Sequence, residues 1–159
     1  MSILKKDPLP TALVGGMTTK LDERVAFFGT ADELSSHLMK VRCLVKDDET
    51  KKELEWIVKL LSKIMGEVAG SKNHLVEEEL VELLRINKRH EENNGIITEF
   101  VLPGQTLISA DIHIARCVAR RAELAFAHVF AKYGGNEYTF EFLNKISTLL
   151  FNLGLSYEK

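Results

Sequence analysis

Arg116, Arg120, Arg121 and Glu123 are the residues whose types and spacing best suit chemistry. Two guanidiniums four residues apart in a helix sit one turn apart on one face, and each planar fork donates paired hydrogen bonds while staying charged. Such a pair can reach successive phosphates of one polyphosphate chain. At about 100° per residue, His113, Arg116, Arg120 and Glu123 fall within a narrow arc, and Arg121 turns away from it. A solvated face on which Arg120 pairs with Glu123 fits the same spacing, so periodicity alone leaves both readings open.

Earlier in the chain, Asp22, Ala26, Gly29, Glu33 and Ser36 share one helical side, with Asp32 just off it. Small residues and carboxylates on one face call for a partner. Gly29 inside a helical run costs about 1 kcal/mol relative to alanine, which suits either close approach of a neighbour or a kink. Asp32 or Glu33 could pair with an arginine of the later helix, either in the same chain or across an interface, and the sequence does not choose between them.

The elements that position these residues are helices. Prolines occur only at 8, 10 and 103, so most of the chain is free to be helical. Helix one is read from Asp22 to about Val45, with Phe27, Phe28, Ala31, Leu34, Leu38, Val41 and Val45 as its apolar stripe. Asp47 and Asp48 cap a second helix that Gly70 stops. A third runs from His74 to Asn93, with Leu75, Leu80, Leu83, Leu84 and Ile86 inside and Gly95 at its end. Residues 96–102 read as extended or irregular. Helix four runs from Thr106 to Tyr133, where Gly134 and Gly135 end it. Helix five covers Glu137 to Tyr157, with Phe140, Leu143, Ile146, Leu150, Phe151 and Leu153 on one side. The expected fold is all-α: a single-domain, five-helix up-and-down bundle over 22–159, preceded by an N-terminal segment, 1–21.

A chain of 159 residues with 45% hydrophobic and 28% charged side chains is one soluble globular domain. Its formal net charge of −2 excludes a protein that gains affinity by neutralising a nucleic-acid backbone. The short basic run Lys88, Arg89 and His90 is followed at once by Glu91 and Glu92 and reads as a solvated helix end. Cys43 and Cys117 make no CxxC pair and are expected as buried free thiols of a reducing, cytoplasmic compartment. No signal peptide is expected, because Met1 to Pro10 lacks the apolar core one needs, and no membrane span, because no stretch is apolar for about 18 residues.

Lys20 to Ser36, KLDERVAFFGTADELSS, resembles the K-x-D-x-R-V-x-A-x-G-T-x-D-E-L-N-S segment of the PduO-type ATP:corrinoid adenosyltransferases. Phe100 to Gly104 is similar to that family's F-x-L-P-G turn, Ala115 to Glu123 to its A-R-x-x-x-R-R-A-E, and Leu143 to Ser147 to its L-N-R-L-S. Each pattern is weak singly; their common order over most of the chain favours the phosphate reading of Arg116 and Arg120. A ferritin-like di-iron bundle would need Glu-x-x-His, which does not occur.

The resemblance implies a homotrimer in which ATP and cobalamin bind where subunits meet, and the 5′-deoxyadenosyl group of ATP moves to cob(I)alamin with release of triphosphate. It implies that Arg116, Arg120 and Lys20 hold the phosphates, and that Asp32 fixes Arg116 by a salt bridge between subunits. Glu123 and Asn144 would order the nucleotide, and Phe100 would face the corrin and help exclude its lower ligand. Magnesium is expected with ATP, with Glu123 as its candidate protein ligand. Further partners implied are a reductase or a cobalamin-dependent enzyme, with neither nucleic acid nor membrane.

The chain departs from the family at its start. A T-G-x-G-D-x-G-x-T phosphate loop is replaced by residues 5–11, KKDPLPT, in which only Asp7 and Thr11 match and Pro8 and Pro10 remove backbone donors. Lys5, Lys6 and Lys20 supply charge but no backbone nest. Ser35, Gln105 and Thr148 also stand where the family has Asn, Gly and Asp. Weak ATP affinity is therefore expected, and a paralogue that binds cobalamin or a partner protein without catalysis is the alternative reading.

Overall fold

Capping residues and glycines set the limits of nearly every element. A computed structural model describes residues 2–4 and 6–159; Lys5, named above as a compensating charge, lies outside the described residues. Among the described residues the chain forms β1 (Pro10–Leu13), β2 (Gly16–Thr19), α1 (Glu23–Leu44), α2 (Asp48–Val68), α3 (Glu77–Asn94), α4 (Leu107–Tyr133) and α5 (Glu137–Leu155). The five helices are those the periodicity predicts. Side-chain caps start four of them: Asp22, Asp47, Thr106 and Asn136 accept backbone N–H groups at 2.8, 2.9, 3.1 and 3.0 Å. Gly95 and Gly134, with φ of 66° and 72°, end α3 and α4.

Three boundaries differ from the expectation. The all-α reading lacked the β1–β2 hairpin, whose signal was Val14-Gly15 between two short runs; Gly15, at φ 89°, takes the turn conformation an L side chain resists. α3 begins at Glu77 rather than His74. The Leu75 N–H donates to Glu67 at 3.3 Å and the Leu75 carbonyl accepts from Asn136 at 2.7 Å, which holds this backbone out of the helix. α5 stops at Leu155, and a turn follows in which the Tyr157 carbonyl accepts the Thr106 hydroxyl at 2.7 Å.

α4 is the central element, packed between α1 and α5; α2 lies on α1 and α3 on α5. Phe27 of α1 meets Phe126 of α4 edge to face at 5.5 Å, and Phe126 meets Phe140 of α5 at 5.6 Å. Such aromatic pairs contribute about 0.5–1.5 kcal/mol each beyond their burial. Most predicted core positions are buried; Phe28 and Phe140 are half-buried against the core, and Leu84 and Phe151 are 39% and 45% exposed. Cys43 and Cys117, expected to be buried, are both exposed. They stand on outward stripes of α1 and α4, and helical spacing alone does not say which of two apolar stripes faces the core.

Candidate functional site

α4 and α5 run antiparallel in a register that matches the two motifs residue by residue. Asn144 Nδ2 donates to Glu123 Oε1 at 2.9 Å. One turn further along α4, Arg116 and Arg120 line a cleft of about 250 Å³ with Ser147, Thr148 and Phe151 of α5. Next along, His113 packs on Gly154. The register continues to Thr106, which bonds Tyr157.

The electrostatics of this cleft are unbalanced. Among the described residues neither Arg116 nor Arg120 forms an ion pair; Glu123 is bonded to Asn144, and Glu33 of α1 pairs with Arg121. Arg116 is half-buried and its Nε donates to His113 Nδ1 at 3.1 Å. Two uncompensated guanidiniums on one cleft attract a multiply charged anion. Periodicity placed Arg121 off this face, and its pairing with Glu33 on the α1 side agrees.

Phe100 belongs to the loop between α3 and α4 and is 87% exposed, beside the arginine cleft. It lines a cavity of about 220 Å³ with Pro103, His113, Arg116, Phe151 and Leu155. A bare aromatic ring next to a largely apolar hollow suits a flat, partly apolar ligand. The exposed Phe151 ring faces both hollows, so its exposure is a feature of the site.

Two of the candidates are not brought to this cleft. Asp32 is exposed on α1 and forms no ion pair among the described residues. Lys20 ends the hairpin just before Asp22, and Asp22 accepts the Tyr133 hydroxyl at 2.7 Å, at the far end of α4. Arg116 lies seventeen residues back along that helix, roughly 25 Å away at 1.5 Å per residue. Lys20 of a chain therefore lies far from that chain's own Arg116. Asp7 and Lys6 are exposed in the same N-terminal segment, and Thr11 is half-buried in β1. Ser35 is half-buried on α1, and Gln105 and Thr148 are exposed.

Sequence reasoning missed Glu158 and Gly154. Glu158 is 9% exposed and accepts the N–H groups of Gly104 at 3.0 Å and Gln105 at 3.1 Å. Burial pushes its carboxyl up, yet the donors around it, the backbone of Gln105 and Gly104 among them, hold it below the usual carboxylate range. Burial and the Arg116 charge push the His113 imidazole down, which favours its neutral form. Among the described residues no group of three or more His, Cys, Asp or Glu could hold a metal ion. No helix among them is long and apolar enough to cross a membrane.

A family model described as cobalamin adenosyltransferase matches residues 4–157. The corrinoid adenosyltransferase of Citrobacter freundii is 30% identical over 151 residues, 90% of this chain and 86% of that protein. That of Bacillus subtilis is 31% identical, over 89% of this chain and 77% of its own length. Corrinoid adenosyltransferase PduO of Salmonella typhimurium is 26% identical over 87% of this chain, which spans only 44% of that protein. Among solved structures, an arginine-to-lysine variant of a PduO-type adenosyltransferase from Lactobacillus reuteri, complexed with ATP, superposes with a TM-score of 0.87 at 24% identity, covering 99% of this chain and 94% of that one. A phenylalanine-to-alanine variant complexed with cobalamin and ATP gives 0.85 at 24%, covering 94% and 88%. These likenesses show a shared fold.

Proposed function

This chain belongs to the cobalamin adenosyltransferase family, and from that premise we propose that it transfers the 5′-deoxyadenosyl group of ATP to cob(I)alamin and releases triphosphate. The observation that carries the reading is the cleft in which Arg116 and Arg120 stand without a carboxylate partner beside the exposed ring of Phe100. Attack of the reduced cobalt on the 5′ carbon breaks its bond to the triphosphate oxygen, so negative charge grows on the leaving group. Arginines fixed before the reaction stabilise that charge without reorganisation. Phe100 would lie against the corrin, excluding water and the lower ligand, and Glu123 with Asn144 would orient the nucleotide. Magnesium would arrive with ATP. The half-buried carboxylate of Glu123 would be its protein ligand, and the ion would help neutralise the phosphates.

We further propose that the working unit is a homotrimer with sites between subunits. The distance between Lys20 and Arg116 within one chain supports this, because a site using both needs two chains. So does the outer face of α4: Leu107, Ile114 and Leu124 are 77%, 49% and 64% exposed, and with Ala110, Cys117 and Arg121 they repeat at alternating spacings of three and four. Gly29 on the outer side of α1 has open space around it within its own chain, which leaves room for a neighbour's backbone. Asp32 of one subunit would then reach Arg116 of the next. Use in the cytoplasm, beside a reductase or a cobalamin-dependent enzyme, follows from the same reading.

The test is a spectrophotometric assay with ATP, magnesium and chemically reduced cobalamin, watching for the alkylcobalamin product. Product formation that requires ATP is expected. A folded chain that binds cobalamin and yields no product would overturn the transferase reading in favour of the binding-only one.

A further inference from the structure

We infer that Glu158 and His113 are positioning residues, a relay that aims the Arg116 guanidinium into the phosphate cleft and links it to the Phe100 loop. The inference rests on the reading of Arg116 as a phosphate ligand. Its geometry is independent of that reading.

Arginine can only donate, so the 3.1 Å contact from Arg116 Nε requires a lone pair on His113 Nδ1. The ring proton must then sit on Nε2. That atom is buried, has no hydrogen-bond partner, and lies 3.6 Å from Glu158 Oε2, just beyond hydrogen-bond reach. Glu158 thus faces the proton that defines the tautomer Arg116 needs. The same carboxylate receives the backbone N–H groups of Gly104 and Gln105, which end the Phe100 loop. One buried acid therefore touches both the loop of the flat-ligand hollow and the imidazole behind the anion cleft.

Gly154 shows that the ring's place is specified. It is buried in the last turns of α5, where glycine costs about 1 kcal/mol relative to alanine. Its φ is not the reason; space is. A Cβ there would lie 2.6 Å from His113 Nε2 and 2.7 Å from Cε1. The helix gives up a side chain so that the imidazole can lie flat between Arg116 and Glu158.

The groups that face His113 are Arg116 on its own helix, Glu158 after α5, Glu99 in the Phe100 loop, and Glu33, His37 and Arg121 in the hollow on the α1 side. Protonating Nδ1 would set a cation against the Arg116 Nε–H and break the contact. The neutral ring is thus the form that holds Arg116.

The test uses the full chain, with ATP titrated at saturating cob(I)alamin, calorimetry with inorganic tripolyphosphate, and thermal unfolding as a folding control. His113→Leu should raise the KM for ATP and weaken tripolyphosphate binding about tenfold, the loss of one charge-assisted hydrogen bond. His113→Asn puts an amide oxygen where Nδ1 was, and should restore both to within about twofold of the wild type. Glu158→Gln should raise the KM for both substrates. If His113→Leu does not fold, Gly154→Ala, which displaces the ring, should still raise the KM for ATP. The relay is overturned if Arg116→Ala loses tripolyphosphate binding while folded His113→Leu or Gly154→Ala retains it in full. Arg116→Ala that binds tripolyphosphate as tightly as the wild type would overturn the reading of the cleft instead.

Discussion

Asn144 donates its amide N–H to the Glu123 carboxylate at 2.9 Å, and this leaves Arg120 without the acidic neighbour that its own helix offers three residues on. A solvated face would have shown Arg120 and Glu123 paired. The packing of α5 on α4 divides them and leaves two positive side chains on one cleft.

Removal of either guanidinium should therefore cost turnover more than stability. Arg116→Ala and Arg120→Ala are each expected to lower turnover at least about tenfold, with the fold retained because neither forms an ion pair within its own chain among the described residues. Normal adenosylation by both variants would remove these residues from the site.

Shared sites can be tested by mixing. Asp32→Ala and Arg116→Ala subunits should each form nearly inactive trimers. Co-assembled, they should recover a fraction of wild-type activity, because some interfaces then join an intact Asp32 to an intact Arg116. Size-exclusion chromatography with light scattering reports the assembly, and a monomeric active protein would contradict it.

Phe100 offers a ring that little else in the chain covers, so its truncation should spare the fold. Phe100→Ala is expected to reduce turnover about tenfold or more while the KM for ATP changes little, since a lost corrin contact affects cobalt and not phosphate. An equal rise in the KM for ATP would place the ring against the nucleotide.

Asp22 joins three elements at once. It caps α1, binds the Arg24 guanidinium at 2.8 and 3.0 Å, and accepts hydroxyls from Thr18 of β2 and Tyr133 of α4. The Arg24 hydrogen bond, followed by those of Tyr133 and Thr18 against the cost of burial, holds its carboxyl far below the ordinary range. Asp22→Ala should destabilise the chain by about 2–3 kcal/mol. Because the folded pKa is depressed, this stabilisation is present above the unfolded value near 3.9 and fades as pH falls below it. A denaturant titration at pH 7 that shows no change would refute the role.

His90 predicts a loss of stability at milder acidity. Burial, and then the Arg89 charge, lower its pKa to about 4, against an ordinary value of 6.5. The unfolded chain gains a proton as pH falls through 6.5 while the folded chain resists it, so stability should fall between pH 6.5 and 4, by less than burial alone would give because Glu53 Oε2 lies 3.4 Å from His90 Nε2. A His90→Gln chain should lose less over that window, and equal acid sensitivity of the two would exclude His90 as the cause.

Helical periodicity, four side-chain caps and the terminal glycines made the helices and most of the core legible, because each depends on residues within a few positions of one another. The ordered motifs likewise made Arg116, Arg120, Glu123, Asn144 and Phe100 visible as candidates, and helical periodicity placed Arg121 off their face. The hairpin was overlooked because two four-residue strands carry little periodicity, although Gly15 marked its turn.

What only the tertiary structure decided is which partners those residues find. Sequence spacing puts Glu123 near Arg120, and α5 takes Glu123 for Asn144. Nothing in the spacing of Glu158, Gly154 and His113 relates them; the antiparallel register of α4 and α5 and the turn after α5 bring them together. Exposure of Cys43, Cys117 and Phe151 was hidden for the same reason, since a helix with two apolar stripes does not record in its sequence which one the core will use. Local order is written in neighbouring residues, whereas charge balance and burial are set by side chains that meet only once the helices pack.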